Sequence, residues 1–158
     1  KEINVGLEEP LKKATRLHIR EPDDKDRIRA GTVYLAPANY HLLVESSRTF
    51  ALSIEKEVNY SRPSIDITFE TAAHIYGKKM IGIILSGANQ DGARGLRAAK
   101  IRQGYTIVQD PEEAAVRTMP EKAMELIQPD AVLTTQGIIE FLLKQSGLMK
   151  EKRIKSKR

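Results

Sequence analysis

The chain has 158 residues, a length that suits one domain with its own hydrophobic core. Its composition is 41% hydrophobic and 30% charged, as expected of a globular protein. It contains no cysteine, which excludes a disulfide framework, a thiolate nucleophile and a cysteine-ligated metal, and which favours a reducing, cytoplasmic compartment. The longest apolar run, residues 80–85, is far too short to cross a bilayer, so stable membrane insertion is not expected.

The net charge of +5 is concentrated at the C-terminus. Residues 150–158 carry six basic side chains and one acidic side chain, so the rest of the chain is neutral. A basic surface is the usual mark of nucleic-acid binding, and the folded part has no such excess of positive charge. We therefore predict no nucleic-acid partner, and we interpret residues 148–158 as a basic, disordered tail.

The first third of the chain predicts a weak helix followed by four short strands. The helix has Pro10 early enough to lie in its first turn. The strands alternate or are rich in β-forming residues, and three polar residues between the last two are typical of a hairpin turn. The predicted bounds are 7–14 for the helix and 17–20, 32–36, 41–45 and 49–54 for the strands.

From residue 64 onward, helices and strands alternate. Ser64 is a suitable helix cap, and apolar residues at helical spacing follow it until Gly77. One later helix is predicted to be interrupted near Met119 and Pro120. The predicted bounds are 64–76, 93–103, 112–127 and 136–145 for the helices, and 80–85, 105–108 and 131–133 for the strands.

This order of elements predicts an α/β fold. Strands separated by helices form parallel sheets through right-handed crossovers, which place helices on both faces. The run at 80–85 is apolar throughout, as expected of a strand that is covered on both sides. We therefore predict one domain over residues 1–147, with a doubly wound, mostly parallel sheet and an antiparallel hairpin from the first third.

The segment SGANQDG, residues 86–92, follows that apolar strand directly. Ligands in open α/β sheets bind beyond the carboxyl ends of the strands, so Asp91 lies where a functional residue is expected. An aspartate before a helix is also ordinary capping chemistry, because it can accept hydrogen bonds from the first free N–H groups of that helix. The local sequence leaves both interpretations open.

Three functions for the Asp91 carboxylate are consistent with its position. It could orient a histidine in a Ser-His-Asp relay. It could take part in phosphoryl transfer or bind magnesium, for which Asp110 is the one plausible second carboxylate. It could belong to a glycine loop around a nucleotide, but the glycines of this segment form neither GxGxxG nor a P-loop.

The relay interpretation needs a nucleophile and a base, and the local sequence provides no clear one. Ser86 lacks the glycine that precedes the serine in a nucleophile elbow, and a hydroxyl at a strand end usually bonds to the backbone. His18 alternates within a strand, His41 opens a hairpin and His74 lies on the polar side of a helix. We interpret all four as structural or solvated side chains.

Five segments, taken in order, resemble a known family. Any one segment alone has low specificity, but all five with this spacing are similar to the catalytic domain of the CheB-type chemotaxis methylesterases. The segments are GTVYLAPANYHLLV (31–44), RPSIDITF (62–69), GIILSGANQDGARGLRAAK (82–100), IVQDPEEA (107–114) and MPEKA (119–123). The resemblance implies a protein-glutamate methylesterase and glutamine deamidase that acts on methyl-accepting chemotaxis receptors.

The resemblance also implies roles for individual residues. Asp91 matches the aspartate of the family's Ser-His-Asp triad. Ala88 lies beside the backbone amide that helps to hold the oxyanion, and Gly87 and Met119 belong to the same substrate vicinity. Ser86 replaces the usual threonine, keeps the hydroxyl and fits a structural role. The implied mechanism uses side chains and water, with no cofactor and no metal.

The family's serine and histidine precede the segment that matches residues 17–24. We therefore expect the 158 residues to lack the first βα unit of the domain and to supply Asp91 as the one triad member. Two other functions remain open from the sequence. One is a non-catalytic module of the same fold that binds receptors or partners, and the other is a phosphate- or nucleotide-binding domain.

Overall fold

The computed structural model describes residues 17–146. The predicted helix at 7–14 and the basic tail at 148–158 lie outside these residues. The described strands are β1 His18–Arg20, β2 Thr32–Tyr34, β3 His41–Val44, β4 Phe50–Ser53, β5 Ile81–Ile84, β6 Tyr105–Gln109 and β7 Ala131–Leu133. The described helices are α1 Ile65–Tyr76, α2 Ala93–Ile101, α3 Thr118–Leu126 and α4 Thr135–Gln145, with a 3₁₀ turn at Gly77–Lys79 after α1.

The described strands form three sheets. β1 pairs in parallel with β2, and β3 pairs with β4 as the predicted antiparallel hairpin. β5, β6 and β7 form a parallel sheet in that order, as expected for strands that are separated by helices. The predicted α/β class with a mostly parallel sheet and one hairpin is confirmed.

Helices cover both faces of the three-stranded sheet. Ile81 is in register with Tyr105, and Tyr105 stacks on Phe141 of α4 with ring centroids 5.2 Å apart. Gly82 points to the other face, where a Cβ atom would lie 2.8 Å from Leu96 of α2. Because neighbouring residues of a strand point to opposite faces, α2 and α4 lie on opposite sides of the sheet.

The main core lies between this sheet and helices α2 and α3. Its members are small or aliphatic side chains that are almost completely buried: Ile84, Ala93, Leu96, Val108 and Ala123. A second cluster joins the hairpin to α1 and centres on Leu42, Val44 and Phe50. Helix α1 therefore packs against the hairpin on one side and against α2 on the other.

The largest error of the secondary-structure prediction concerns the helix that was expected over residues 112–127. Helix α3 begins at Thr118, and residues 111–117 form turns and bends instead. Pro120 does not interrupt the helix but lies in its first turn, where its missing N–H group costs no hydrogen bond. None of the helices within residues 17–146 is long and apolar enough to cross a membrane.

Candidate active site

The loop of residues 85–92 lies at the carboxyl edge of the parallel sheet, as predicted. The backbone N–H of Ser86 donates to Oε1 of Gln109, the last residue of β6, over 2.8 Å. The loop also pairs with the segment before α3, because Gly87 donates to the carbonyl of Val116 and accepts from the N–H of Met119. These hydrogen bonds therefore join the loop after β5 to the segment that connects β6 with α3.

Asp91 is 2% exposed, and its carboxylate lies at the N-terminus of α1. Oδ1 accepts hydrogen bonds from the Ser64 hydroxyl at 2.7 Å and from the N–H of Asp66 at 3.1 Å. Oδ2 accepts one from the N–H of Ile65 at 2.7 Å. The first N–H groups of a helix have no intrahelical acceptor, and the helix dipole favours an anion there. These contacts fix the carboxylate in one orientation.

The capping interpretation of Asp91 named the right chemistry but the wrong helix. Asp91 precedes α2, yet its carboxylate binds the first N–H groups of α1, which lies more than twenty residues earlier in the chain. The first N–H of α2, from Ala93, donates instead to the backbone carbonyl of Gln90. Local sequence could not reveal this arrangement, because it depends on how the two helices pack.

Asp66 is a site residue that the sequence analysis missed. It is fully buried in the first turn of α1, and its Oδ1 accepts from the N–H of Gly95 in α2 at 2.8 Å. Its Oδ2 accepts from Asn59 Nδ2 and Arg94 Nε, both at 3.1 Å. The hydrogen bond with Asp66 raises the pKa of Arg94 above its ordinary value.

Asp66 and Asp91 thus make a reciprocal connection between α1 and α2. The Asp91 carboxylate, from the loop before α2, binds the first N–H groups of α1. The Asp66 carboxylate, from the first turn of α1, binds the N–H of Gly95 in the first turn of α2. Gly95 allows this close approach, since a Cβ atom there would lie 2.5 Å from Cβ of Phe69 and 3.0 Å from the Asp66 backbone. The only signal in the sequence was an acidic residue in the first helical turn.

The structure brings Gly87 and Met119 together. A Cβ atom at Gly87 would lie 2.7 Å from the Met119 sulfur, so only glycine allows the side chain of Met119 to approach this closely. Ala88 is exposed beside them. Within residues 17–146, no oxygen accepts a hydrogen bond from the N–H of Ala88. Asp91, in the same loop, binds the N-terminus of α1.

The four side chains that the sequence analysis interpreted as structural or solvated have such environments. Ser86 Oγ accepts from the N–H of Val116 at 2.9 Å. His41 is fully buried, and its ring nitrogens contact the Ser64 N–H at 3.2 Å and the Lys56 carbonyl at 3.0 Å. The side chains of His18 and His74 are exposed.

His41, Ser64 and Asp91 are close neighbours, but they do not form a catalytic relay. The Ser64 hydroxyl donates to Asp91 rather than to the histidine, and His41 contacts the backbone N–H of Ser64. All three side chains are at most 2% exposed. In a relay the base holds the serine hydroxyl and the carboxylate holds the base, so this cluster is a structural support for α1.

The two carboxylates that were considered for magnesium each accept hydrogen bonds from backbone N–H groups. Oδ1 of Asp110 accepts from the N–H of Glu112, whereas Asp91 is occupied by the end of α1. Within the part of the chain that the structure describes, no three histidine or acidic side chains are grouped so that they could hold a metal ion.

Comparisons with known proteins identify similar chains. A Leptospira interrogans protein is provisionally named protein-glutamate methylesterase/protein-glutamine glutaminase; it is 47% identical over 134 residues, which are 85% of this chain and 69% of that protein. The protein-glutamate methylesterase/protein-glutamine glutaminase 2 of Pseudomonas aeruginosa is 37% identical over 142 residues, which are 88% of this chain and 41% of that protein.

A solved structure is similar as well. The crystal structure of the Thermotoga maritima CheB methylesterase catalytic domain matches with a TM-score of 0.83 and 32% identity, over 88% of this chain and 75% of that one. The family model described as CheB methylesterase matches residues 1–142. The resemblance seen in the sequence is confirmed: the chain belongs to the CheB methylesterase family.

Proposed function

We propose that the protein hydrolyses methyl esters of glutamate side chains in a methyl-accepting chemotaxis receptor and deamidates glutamine side chains there, with Asp91 as the triad aspartate. The observation that carries this proposal is the state of the Asp91 carboxylate. It is buried, and within residues 17–146 it is held by three donors, of which one binds Oδ2. An ionised carboxylate has about four acceptor positions, so Oδ2 retains one for an imidazole N–H.

In this mechanism Asp91 acts on a histidine. A carboxylate that accepts from one ring nitrogen selects the tautomer whose other nitrogen is a base, and it stabilises the imidazolium that forms. The contacts with α1 prevent the carboxylate from turning away, which contributes to preorganisation. We expect the histidine and the serine from a βα segment that comes before residues 17–24, in keeping with relatives that are longer than this chain.

The bond changes follow from this arrangement. The serine oxygen attacks the side-chain carbonyl carbon of the modified glutamate while the histidine takes the serine proton. Return of that proton to the leaving group releases methanol from an ester, or ammonia from an amide, and leaves an acyl-enzyme. Water, deprotonated by the histidine, then attacks the acyl carbon and releases the glutamate and the serine.

The Ala88 N–H group is our proposed donor for the oxyanion. Preorganised backbone N–H groups that have no other acceptor stabilise the charge that develops on the carbonyl oxygen. The contact between Gly87 and Met119 holds this part of the loop against the start of α3. As part of the same proposal we place the protein in the cytoplasm, in keeping with its lack of cysteine.

The test is turnover of the full-length protein on a methylated receptor fragment, followed by methanol release. In the serine-protease template, changing the triad aspartate to asparagine lowers turnover by about 10⁴, and we expect a loss of that order for Asp91→Asn. Asp110→Asn is the matched control, because Asp110 follows the neighbouring strand at the same edge of the sheet. We expect it to retain turnover within about threefold, since its carboxylate makes only a local turn.

Near-normal turnover of a folded Asp91→Asn protein would exclude the catalytic role. Binding of the receptor fragment without any methanol release by the unchanged full-length protein would instead favour the non-catalytic module. Circular dichroism of each variant shows whether the total helix content is kept, a necessary control because Asp91 also supports α1.

A further inference from the structure

A tight turn with an exposed aromatic residue lies beside the candidate site. The backbone groups of Val58 and Ser61 exchange two hydrogen bonds, at 3.2 and 2.9 Å, so Asn59 and Tyr60 are the two central residues of a hairpin turn. Both have positive φ, 52° for Asn59 and 61° for Tyr60. Positive φ at both central positions defines a type I′ turn, in which asparagine followed by glycine is preferred.

Tyrosine is a poor choice for this position if the turn has only a structural role. A residue with a side chain adopts left-handed backbone angles at a cost that glycine does not have. The ring of Tyr60 does not compensate for that cost by burial, because the residue is 98% exposed. The fold therefore gains nothing from the tyrosine ring, and contact with another molecule is the simplest reason for it.

The turn is joined to the loop that carries Asp91. Gln90 Nε2 donates to Asn59 Oδ1, and Asn89 Nδ2 donates to Ser61 Oγ, each over 3.3 Å. Asn59 Nδ2 also donates to the buried Asp66. These bonds hold the turn in a fixed position relative to Gln90, the residue next to Asp91, so a molecule that contacts Tyr60 also lies close to the site.

Basic side chains line the clefts next to the turn. Asn59 lines two clefts, of about 590 and 310 Å³, and Tyr60 lines the larger one. In the described residues, the linings of the two clefts contain five basic and three acidic side chains; the basic ones are Lys56, Arg62, Arg94, Arg97 and Lys122. Two of these basic side chains are paired within the cleft, Arg94 with Asp66 and Lys122 with Glu125. Arg97 has no ion-pair partner within residues 17–146, so its charge is available to a ligand.

We propose that the Asn59–Tyr60 turn is a docking ridge for the protein substrate, on which Tyr60 packs against an acidic receptor segment whose carboxylates approach the flanking basic side chains. The inference rests on the proposed function, because it takes the substrate to be a receptor. Glutamate is the product of both proposed reactions, so the segment near the site carries carboxylates once it has been processed. Tyrosine and arginine are also the residue types that contribute most often to binding at protein interfaces.

The experiment measures stability and binding of the full chain in parallel. Tyr60→Gly removes the ring and relieves the left-handed backbone, so we expect an unchanged or higher Tm. We also expect the Kd for a soluble receptor cytoplasmic fragment to rise about tenfold, as for an interface residue of average importance. Tyr60→Phe, which keeps the ring, is expected to restore most of the affinity.

Gln103→Gly is the matched control. Gln103 also has a positive φ, 63°, and is exposed, but it follows the far end of α2, about 13 Å along that helix from the site loop. We expect this variant to gain stability in the same way and to keep the wild-type Kd.

Three results would overturn the docking proposal. They are a Tyr60→Gly Kd within twofold of wild type, a lower Tm for Tyr60→Gly, and failure of the wild-type chain to bind the receptor fragment. Asp91→Asn separates this proposal from the catalytic one, because it is expected to bind the fragment normally. Normal turnover by Asp91→Asn together with weak binding by Tyr60→Gly would exclude the triad role and leave the docking ridge in place.

Discussion

The two edges of the parallel sheet each carry an aspartate that accepts several hydrogen bonds, but the two carboxylates have different surroundings. At the carboxyl edge, Asp91 is buried and binds the end of α1, which belongs to a different crossover. At the amino edge, Asp130 binds the N–H and the hydroxyl of Thr106 in β6 at 2.8 and 2.7 Å and pairs with Lys100.

The two aspartates differ in the elements that they connect and in the charge of their partners. Asp130 joins the start of one strand to the start of the next, and its ion pair is partly solvated. Within residues 17–146, the donors that hold Asp91 are one hydroxyl and two backbone N–H groups, and Oδ2 accepts one of the three hydrogen bonds. Because parallel sheets bind ligands at their carboxyl edge, the amino edge is left for residues that stabilise the fold.

The largest expected effect is the difference in turnover between the asparagine variants of these two aspartates. Asp130→Asn is expected to leave turnover within about twofold, whereas Asp91→Asn is expected to lose about 10⁴. Methanol release from a methylated receptor fragment, measured for both variants in the full-length protein, tests this contrast. A comparable loss in Asp130→Asn would show that the two edges are not functionally distinct.

Gly95→Ala tests the packing that places Asp91. The added Cβ atom would collide with Phe69 and with the Asp66 backbone, so α1 and α2 must move apart. We expect a loss of about 1–3 kcal/mol in the free energy of unfolding, as for other overpacked sites. Turnover should fall as well, because the donors to Asp91 lie on α1.

Gly137→Ala is the matched control for that substitution. Gly137 lies in helix α4, and its nearest contacts for a Cβ atom are 3.4 Å, which is within ordinary packing distance. Because alanine is the better helix former, we expect this variant to be as stable as wild type or more so. Urea unfolding of both variants measures the difference, and equal stabilities would contradict the proposed role of Gly95.

Asp130 is expected to make stability depend on pH. Burial alone would raise the pKa of Asp130, but hydrogen bonds from Lys100 and Thr106 outweigh it and lower the pKa below the ordinary value. A carboxyl with a lowered folded-state pKa stabilises the protein above its unfolded-state pKa, about 3.9, and this stabilisation is lost as the pH falls through the folded-state value.

Asp130→Asn therefore has its full effect at neutral pH. We expect it to cost about 1 kcal/mol there, a modest value because the pair is partly solvated. The difference from wild type should narrow below about pH 4. Tm values measured from pH 7 down to pH 3 test this, and a difference that stays constant over the range would exclude a titrating contribution from Asp130.

The smallest effect is expected at an exposed ion pair. Arg117 Nε lies 3.2 Å from Glu121 across one turn of α3, and both side chains are about half exposed. Exposed pairs of this spacing contribute about 0.3–0.5 kcal/mol, so Glu121→Gln should change the Tm by no more than about 2 °C. A larger shift would indicate that the segment before α3 depends on this pair.

Much of the fold could be predicted because its signals are local. The apolar run before SGANQDG identified β5, and the spacing of apolar residues after Ser64 identified α1. Both patterns can be recognised from residues that are close together in the sequence. The predicted start of α3 was wrong because it depends on contacts between residues far apart in the chain. Residues 112–117 have helix-forming composition, but Ser86 and Gly87 bind the backbone of Val116 and keep this segment out of the helix.

The alternation of helices and strands, the position of Asp91 beyond a buried strand, and the family could all be predicted from residue patterns. Three contacts could not: Asp91 binds the N-terminus of α1, Asp66 binds the first turn of α2, and Asn59 joins the Tyr60 turn to Gln90. These bonds link residues that are more than twenty positions apart. Their partners are chosen by which unsatisfied helix ends and loops packing brings together, and no local pattern of residue types records that choice.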